Sequence, residues 1–244
     1  MMSVTAGRRG RVLKVRAWWL GRVPYQEVLT LQGRLQQEVL ARRGHPGYLL
    51  LLEHTPVITA GRSSDLAELR VSPADLTRLG VEFVTSNRGG RLTYHGPGQL
   101  VGYPVIDLRA YRCDVHGYMR RLEEVLIRVL ARLGVEAERH DGHTGVWVGE
   151  RKVASIGVAI RRWVTMHGFA LNVAPEMAHF GLIEPCGLTP DTMVSLADVL
   201  ECVPRLDRLA CWVAETFAEV FTIEPGQMLF EERPEAALSP AGVP

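Results

Sequence analysis

The chain has 244 residues, which fits one large domain or two small ones. Hydrophobic residues make up 47%, which excludes a disordered chain, and a formal net charge of +1 gives no global signal for nucleic acid or an anionic membrane. Four cysteines without a C-x-x-C pair exclude a disulfide framework and a thiolate zinc site. The basic start has no secretory apolar core, and no apolar run reaches the ~18–20 residues of a membrane span, so a cytoplasmic protein with reduced thiols is expected.

Met1 to about Arg11 reads as a loose tail and Val12–Leu20 as a first strand. A helix is predicted over Tyr25–Arg43, entered after Pro24 and ended by Gly44, with Val28, Leu31, Leu35 and Val39 as one apolar stripe. Tyr48–Glu53 is too short and too apolar for a surface helix and reads as a central strand, which Val57–Ala60 continues beyond the turn at Thr55-Pro56. Ser72-Pro73 starts a short helix that ends near Gly80, and Val81–Thr85 is the next strand.

That strand delivers the chain into Arg88–Asp107, a stretch with five glycines, two prolines, a histidine and a tyrosine pair. Such material suits a binding loop, since glycine lets backbone N–H groups approach a ligand and proline fixes direction. Arg88–His95 is read as wrapping a substrate, and Leu100–Ile106 as the buried strand that anchors it. Asp114 caps a helix carrying Val115, Met119, Leu122, Val125, Leu126, Val129, Leu130 and Leu133, and Gly134 ends it. Val146–Val148, Lys152–Ile160 and Val164–Asn172 are strands whose short connections require antiparallel pairing. Pro175–Leu188 is irregular, Asp207–Phe221 is a last amphipathic helix, and Glu231–Pro244 reads as frayed.

No steady βαβ alternation, helix-opening G-x-G-x-x-G, P-loop, internal repeat or linker is present. The expected architecture is therefore α+β: one domain over residues 12–230 with a mixed, largely antiparallel sheet packed by helices, and flexible tails at 1–11 and 231–244.

Cys186 stands in Glu184-Pro185-Cys186-Gly187, where glycine leaves room above the sulfur. Two readings stay open, a nucleophile and a small buried cysteine. A thiol with pKa ~8.5 needs an activator. His95 and His167 are candidates in glycine-rich contexts, and Lys152, at the start of a strand of small residues, is a third, as a base when neutral or a counter-charge when protonated. Ser155-Ile156-Gly157 and Gly168-Phe169-Ala170 place small residues on two adjacent strands, leaving either room for a long thin group or close packing against a helix. His140-x-x-His143 lacks a third ligand, so no metal site is expected.

Four motifs, in order, resemble the lipoyl(octanoyl) transferases: Arg88–Gln99, Gly149–Gly157, His167–Val173 and Pro185–Gly187. Glu53–Val57 and Ala60–Arg62 also fit, so the resemblance runs from about Tyr25 to Phe221. It implies the fold of biotin and lipoate protein ligases, and transfer of an octanoyl group from octanoyl-acyl carrier protein to a lysine of lipoyl domains. Those acceptor domains belong to 2-oxoacid dehydrogenase E2 subunits and the glycine cleavage H protein. It further implies that Cys186 carries the acyl group, that Lys152 tunes it, and that Arg88, Gly89, Gly90, Arg91, Leu92, Thr93, Tyr94, His95, Ser155, Ile156, Gly157, Gly168, Phe169 and Ala170 line the substrate site. His143-Thr144 stands where a small residue and proline are more usual.

The expected reaction is a two-step transfer without ATP or another cofactor, in a monomer open to two large protein substrates. The tetrahedral oxyanion would be held by backbone N–H groups near Cys186 or in 155–157. Two rivals are an ATP-dependent lipoate or biotin ligase on the same fold and a non-catalytic acyl-carrier-binding protein.

Overall fold

A computed structural model of the protein describes residues 14–232, apart from 43, 46, 112, 185–191 and 224–227. Strand β1 (Val15–Val23) leads through Pro24 into helix α1 (Tyr25–Ala41). The strand lies a few residues later than the sequence suggests, while the helix buries the expected stripe Val28, Leu31, Leu35 and Val39. Strands β2 (Gly47–His54) and β3 (Val57–Ala60) follow.

Helix α2 (Pro73–Arg78) begins as its sequence dictates: the Ser72 hydroxyl accepts from Asp75 N, the Asp75 carboxylate accepts from Ser72 N, and Pro73 occupies the first turn. Strands β4 (Glu82–Thr85), β5 (Leu92–His95) and β6 (Gln99–Val105) come next. Helix α3 (Val115–Ala131) is capped by the Asp114 carboxylate, which accepts from Gly117 N. Strands β7 (Glu138–His140), β8 (His143–Val148), β9 (Arg151–Arg161) and β10 (Val164–Asn172) precede helix α4 (Leu206–Val220) and strand β11 (Met228–Glu232).

Among the described residues, eight strands form one sheet in the order β11-β1-β2-β6-β10-β9-β8-β7. Of these described pairings, β11–β1 and β1–β2 are parallel and the rest antiparallel, so the sheet is mixed and largely antiparallel, as expected. β2 shows how a run of leucines serves two faces. Leu49 and Leu51 join the core beneath α3 and α4, while Tyr48, Leu50 and Leu52 join the core beneath α1. Every residue of β6 and β10 is buried, which fits strands covered on both faces.

Two expectations need correction. β3 does not continue β2; it is the middle of a separate three-stranded sheet, β4-β3-β5. Both runs are equally apolar, and the break lies at His54, whose side chain is tied back to Val23 and Tyr103. β11 was not foreseen, and it carries the sheet into Glu231 and Glu232, where fraying was expected. Its edge is held by the Glu231 carboxylate, which accepts from Trp18 Nε1 at 3.1 Å.

Candidate functional site

A cavity of about 480 Å³ opens where the small sheet meets β9 and β10, within the size range of small-molecule sites. The glycine loop forms one wall. Arg88, 6% exposed, donates through Nη2 to Thr59 O at 2.6 Å and through Nε to Thr59 Oγ1 at 3.1 Å, fastening the loop to β3. Gly89 N donates to Val158 O at 2.9 Å and fastens it to β9. Gly90 has φ +88, the left-handed region that glycine takes at low cost. Arg91 Nε donates to the buried carboxylate of Glu68 at 2.6 Å.

The alternation of a strand then sorts β5. Thr93 and His95 face the cavity, whereas Leu92 and Tyr94 pack with Ile58, Leu76, Phe180 and Ile183. Leu92 and Tyr94 are therefore absent from the residues lining the cavity, whereas the sequence reading places all of 88–95 around the substrate. Arg88, Gly89, Gly90 and Arg91 do line it, as do Ser155, Ile156, Gly157, Gly168, Phe169 and Ala170. Gly168 is dictated by close approach: a β-carbon there would sit 2.2 Å from Gly102 O on β6.

Three neutral imidazoles mark the polar part of this region. His54 Nδ1 lies 2.9 Å from Val23 O, which can only accept, so Nδ1 is the protonated nitrogen and Nε2 accepts from Tyr103 Oη at 2.9 Å. His95 Nδ1 is 2.7 Å from Gln99 Oε1, the amide of which donates to Tyr94 O and Asn172 Oδ1. Burial pushes His54 down to about 4 and His95 to about 3, and the cationic neighbour Arg88 adds to the shift at His95. His167 is likewise lowered to about 4, by burial first and then by Arg88. It sits in mid-strand at φ +56, an unusual conformation for a non-glycine residue, with Nε2 2.6 Å from Asn87 Oδ1 and N donating to Gln32 Oε1 at 2.7 Å. Histidines this far below neutrality are hydrogen-bonding groups near pH ~7, not proton carriers.

Lys152 is 5% exposed and reaches into the cavity wall at the start of β9. Its Nζ lies 5.6 Å from the centroid of the Trp147 ring. Its side chain passes over Gly145, at φ +134, where a β-carbon would be 2.4 Å from Lys152 Cε. Gly145 N donates to the carboxylate of Glu123 on α3 at 3.2 Å, and Arg120 Nη1 and Arg139 Nε donate to the same group at 2.8 and 3.0 Å.

Cys186 and the rest of 185–191 lie outside the described residues. Of the flanks, Glu184 N donates to Glu68 O at 2.8 Å and Val194 N donates to Lys152 O at 3.1 Å. Cys113, Cys202 and Cys211 are absent from the residues lining the cavity.

Several lining residues were not foreseen: Tyr103, Met119, Gly142, Thr144 and Val158, together with His143, read as a loop residue, and His167, read only as a possible activator. Met119 was assigned to the helix core, but it is half-buried and lines the cavity. The signal for Thr144 was its departure, with His143, from the more usual small-Pro pair.

Residues 24–218 match the family described as lipoyl protein ligase A/B catalytic domain. An octanoyltransferase of Gloeobacter violaceus is 48% identical over 210 residues, covering 85% of this chain and 91% of its own. One of Geobacter metallireducens is 50% identical over 181 residues, covering 74% and 81%. Among solved structures, a lipoate-protein ligase A bound with ATP matches with TM-score 0.74 at 17% identity, covering 93% of each chain. A putative lipoate protein ligase from T. acidophilum with bound lipoic acid gives 0.70 at 18%, covering 92% of each. At these identities the structures establish the shared fold, while the sequence relatives establish kinship. The chain belongs to the lipoyl protein ligase A/B catalytic-domain family and, within it, to the octanoyltransferases.

Proposed function

We propose that the protein takes an octanoyl group from octanoyl-acyl carrier protein, holds it as a thioester on Cys186, and passes it to a lysine of a lipoyl domain. The observation that carries the reading is the placement of Lys152: a buried amine in the wall of a cavity whose apolar lining includes Met119, Ile156 and Phe169. The backbone of the same lysine accepts from Val194, eight positions beyond Cys186 in the sequence.

In the first step Lys152 takes the thiol proton and stays beside the thiolate as its counter-charge. The sulfur attacks the donor thioester and the carrier departs as its phosphopantetheine thiol. In the second, the lipoyl-domain amine attacks the acyl-enzyme, giving the amide and restoring the thiol. Thioester exchange is close to neutral and amide formation is downhill, so the cycle needs no ATP. Burial of each methylene favours the longer chain by ~0.8 kcal/mol until the cavity is full. The single unit proposed over residues 12–230 works in the cytoplasm as a monomer, with one face open to both protein substrates.

Intact-mass measurement after mixing with octanoyl-acyl carrier protein tests the reading. The wild-type chain gains one octanoyl group and Cys186→Ala gains none and loses transfer. A Cys186→Ala protein that still octanoylates lipoyl domains when given octanoate and ATP would place the chain with the ligases instead.

A further inference from the structure

We infer that Trp147 is a positioning residue for Lys152, its indole face holding the amine in the cavity wall and stabilising the ammonium that forms there when the thiol proton arrives. The inference rests on the role proposed for Lys152 above.

Strand pairing sets Trp147 opposite Lys152 across β8 and β9, next to a register shift between Val146 and Trp147. The ammonium lies 5.6 Å from the ring centroid, inside the ~6 Å over which an aromatic face attracts a cation. Burial alone disfavours a charged amine, and both side chains are almost sealed, Lys152 at 5% and Trp147 at 3% exposure. The ring supplies charge-selective stabilisation where water is scarce.

A second observation separates this role from simple filling. Trp147 Nε1 is buried with no hydrogen-bond partner among the described residues. A buried N–H without a partner is unfavourable, and phenylalanine would fill the slot without it. What tryptophan adds over phenylalanine is the stronger face, and that face meets Lys152. The path to it is cleared by Gly145, whose missing side chain leaves the space that Lys152 Cε occupies.

Other charged or titratable groups face the same cavity: Arg88 and Arg91 on the glycine loop, His95 on β5, Tyr103 on β6, His143 on β8 and His167 on β10. Glu123 on α3 is spent on Arg120, Arg139 and Gly145 N. His140 stacks on the Trp147 ring at 4.5 Å and 2°, with Glu138 3.6 Å from its Nε2.

In chemical terms, the S–H bond of Cys186 breaks, an N–H bond forms on Lys152, and the pair keeps its net charge. The ring favours the ammonium side of that exchange. Its effect therefore appears on the alkaline side, where the ammonium is lost, and leaves the protonation of the thiolate beside a charged lysine unmoved.

The test reads the lysine directly. Acetylation of Lys152 by a small acetyl donor such as acetic anhydride, which only the neutral amine attacks with release of acetate, followed by peptide mass spectrometry from neutral to alkaline pH, gives the midpoint of amine deprotonation in the full chain. Trp147→Leu is expected to lower that midpoint by about one unit, and Trp147→Phe by about half as much. The alkaline limb of acyl-enzyme formation should fall in step. Should the leucine variant fail to fold, the phenylalanine variant decides, and an unmoved midpoint there overturns the inference. Lys152→Met and Cys186→Ala judge the underlying reading separately. If Lys152→Met acylates at the wild-type rate, or Cys186→Ala still transfers, the dyad fails whatever the midpoint does; if both lose acylation while the midpoint stays fixed, only the role of Trp147 fails.

Discussion

Gly145 is the residue at which backbone conformation and chemistry are most tightly joined. Its φ of +134 belongs to glycine, and its absent side chain is the space through which Lys152 passes. In Gly145→Ala the new β-carbon would stand 2.4 Å from Lys152 Cε and 2.5 Å from Ala154 O, so a flexible side chain and a fixed strand must both give way. The expected result is a fall in acyl-enzyme formation on the order of 100-fold, from an amine displaced by about 1 Å, with a loss of roughly 1–3 kcal/mol in stability. Single-turnover mass spectrometry and urea unfolding read the two effects separately. A folded alanine variant acylating at the wild-type rate would falsify the claim that the lysine's path is fixed here. Lys152→Arg sharpens the chemistry: it keeps a charge that does not titrate, so acylation at the full rate would show that the amine acts only as a counter-charge.

At the scale of elements, α3 does more than cover the sheet. Glu123, 2% exposed, reaches from its buried side to Gly145 N while accepting from Arg120 and Arg139. Glu123→Ala removes one carboxylate from three donors and leaves the Gly145 N–H without that acceptor. The expected loss is about 3 kcal/mol, read by urea unfolding, together with a slower acylation step; an unchanged midpoint of unfolding would show the network to be dispensable. None of this was legible in the sequence, where Glu123 reads as one more polar position between apolar ones. Periodicity revealed the helices because their stripes are long: Val28–Val39 and Leu122–Leu130 could hardly be anything else. It failed where two strands are alike in composition, as β2 and β3 are, because membership of a sheet depends on pairing partners far along the chain. β11 was missed for the same reason, since its pairing with β1 spans the length of the protein. At the site, motif resemblance marked the loop and the two small-residue strands. It could not see that strand alternation turns Leu92 and Tyr94 away from the cavity, nor that Tyr103, Met119 and His167 reach it through folding.

Across the whole molecule, a cluster of buried histidines beside and within the cavity wall ties acid stability to the fold. His54 comes from β2 of the large sheet, His95 from β5 of the small one and His167 from β10, so the three imidazoles bridge both sheets. Burial holds them at about 4, about 3 and about 4, below the ~6.5 of an unfolded histidine. The unfolded chain therefore binds more protons than the folded one between those values. The stabilisation is fully present above about pH 6.5 and is lost progressively as pH falls towards about 3–4. Each histidine contributes a slope of up to ~1.4 kcal/mol per pH unit, reached only below about pH 6.5, so three together remove on the order of 5–6 kcal/mol between about pH 7 and about pH 5. Urea unfolding at those two values measures this. His54→Gln should lessen the pH slope by about one proton, even though the variant starts from a lower stability at neutral pH. A wild-type chain with equal stability at both values would mean that the cluster accepts protons in the folded state, through a rearrangement that opens His54 and His95 to water. That outcome would also undo the assignment of His54 Nε2 as acceptor from Tyr103, because a protonated ring has no lone pair to receive that hydroxyl.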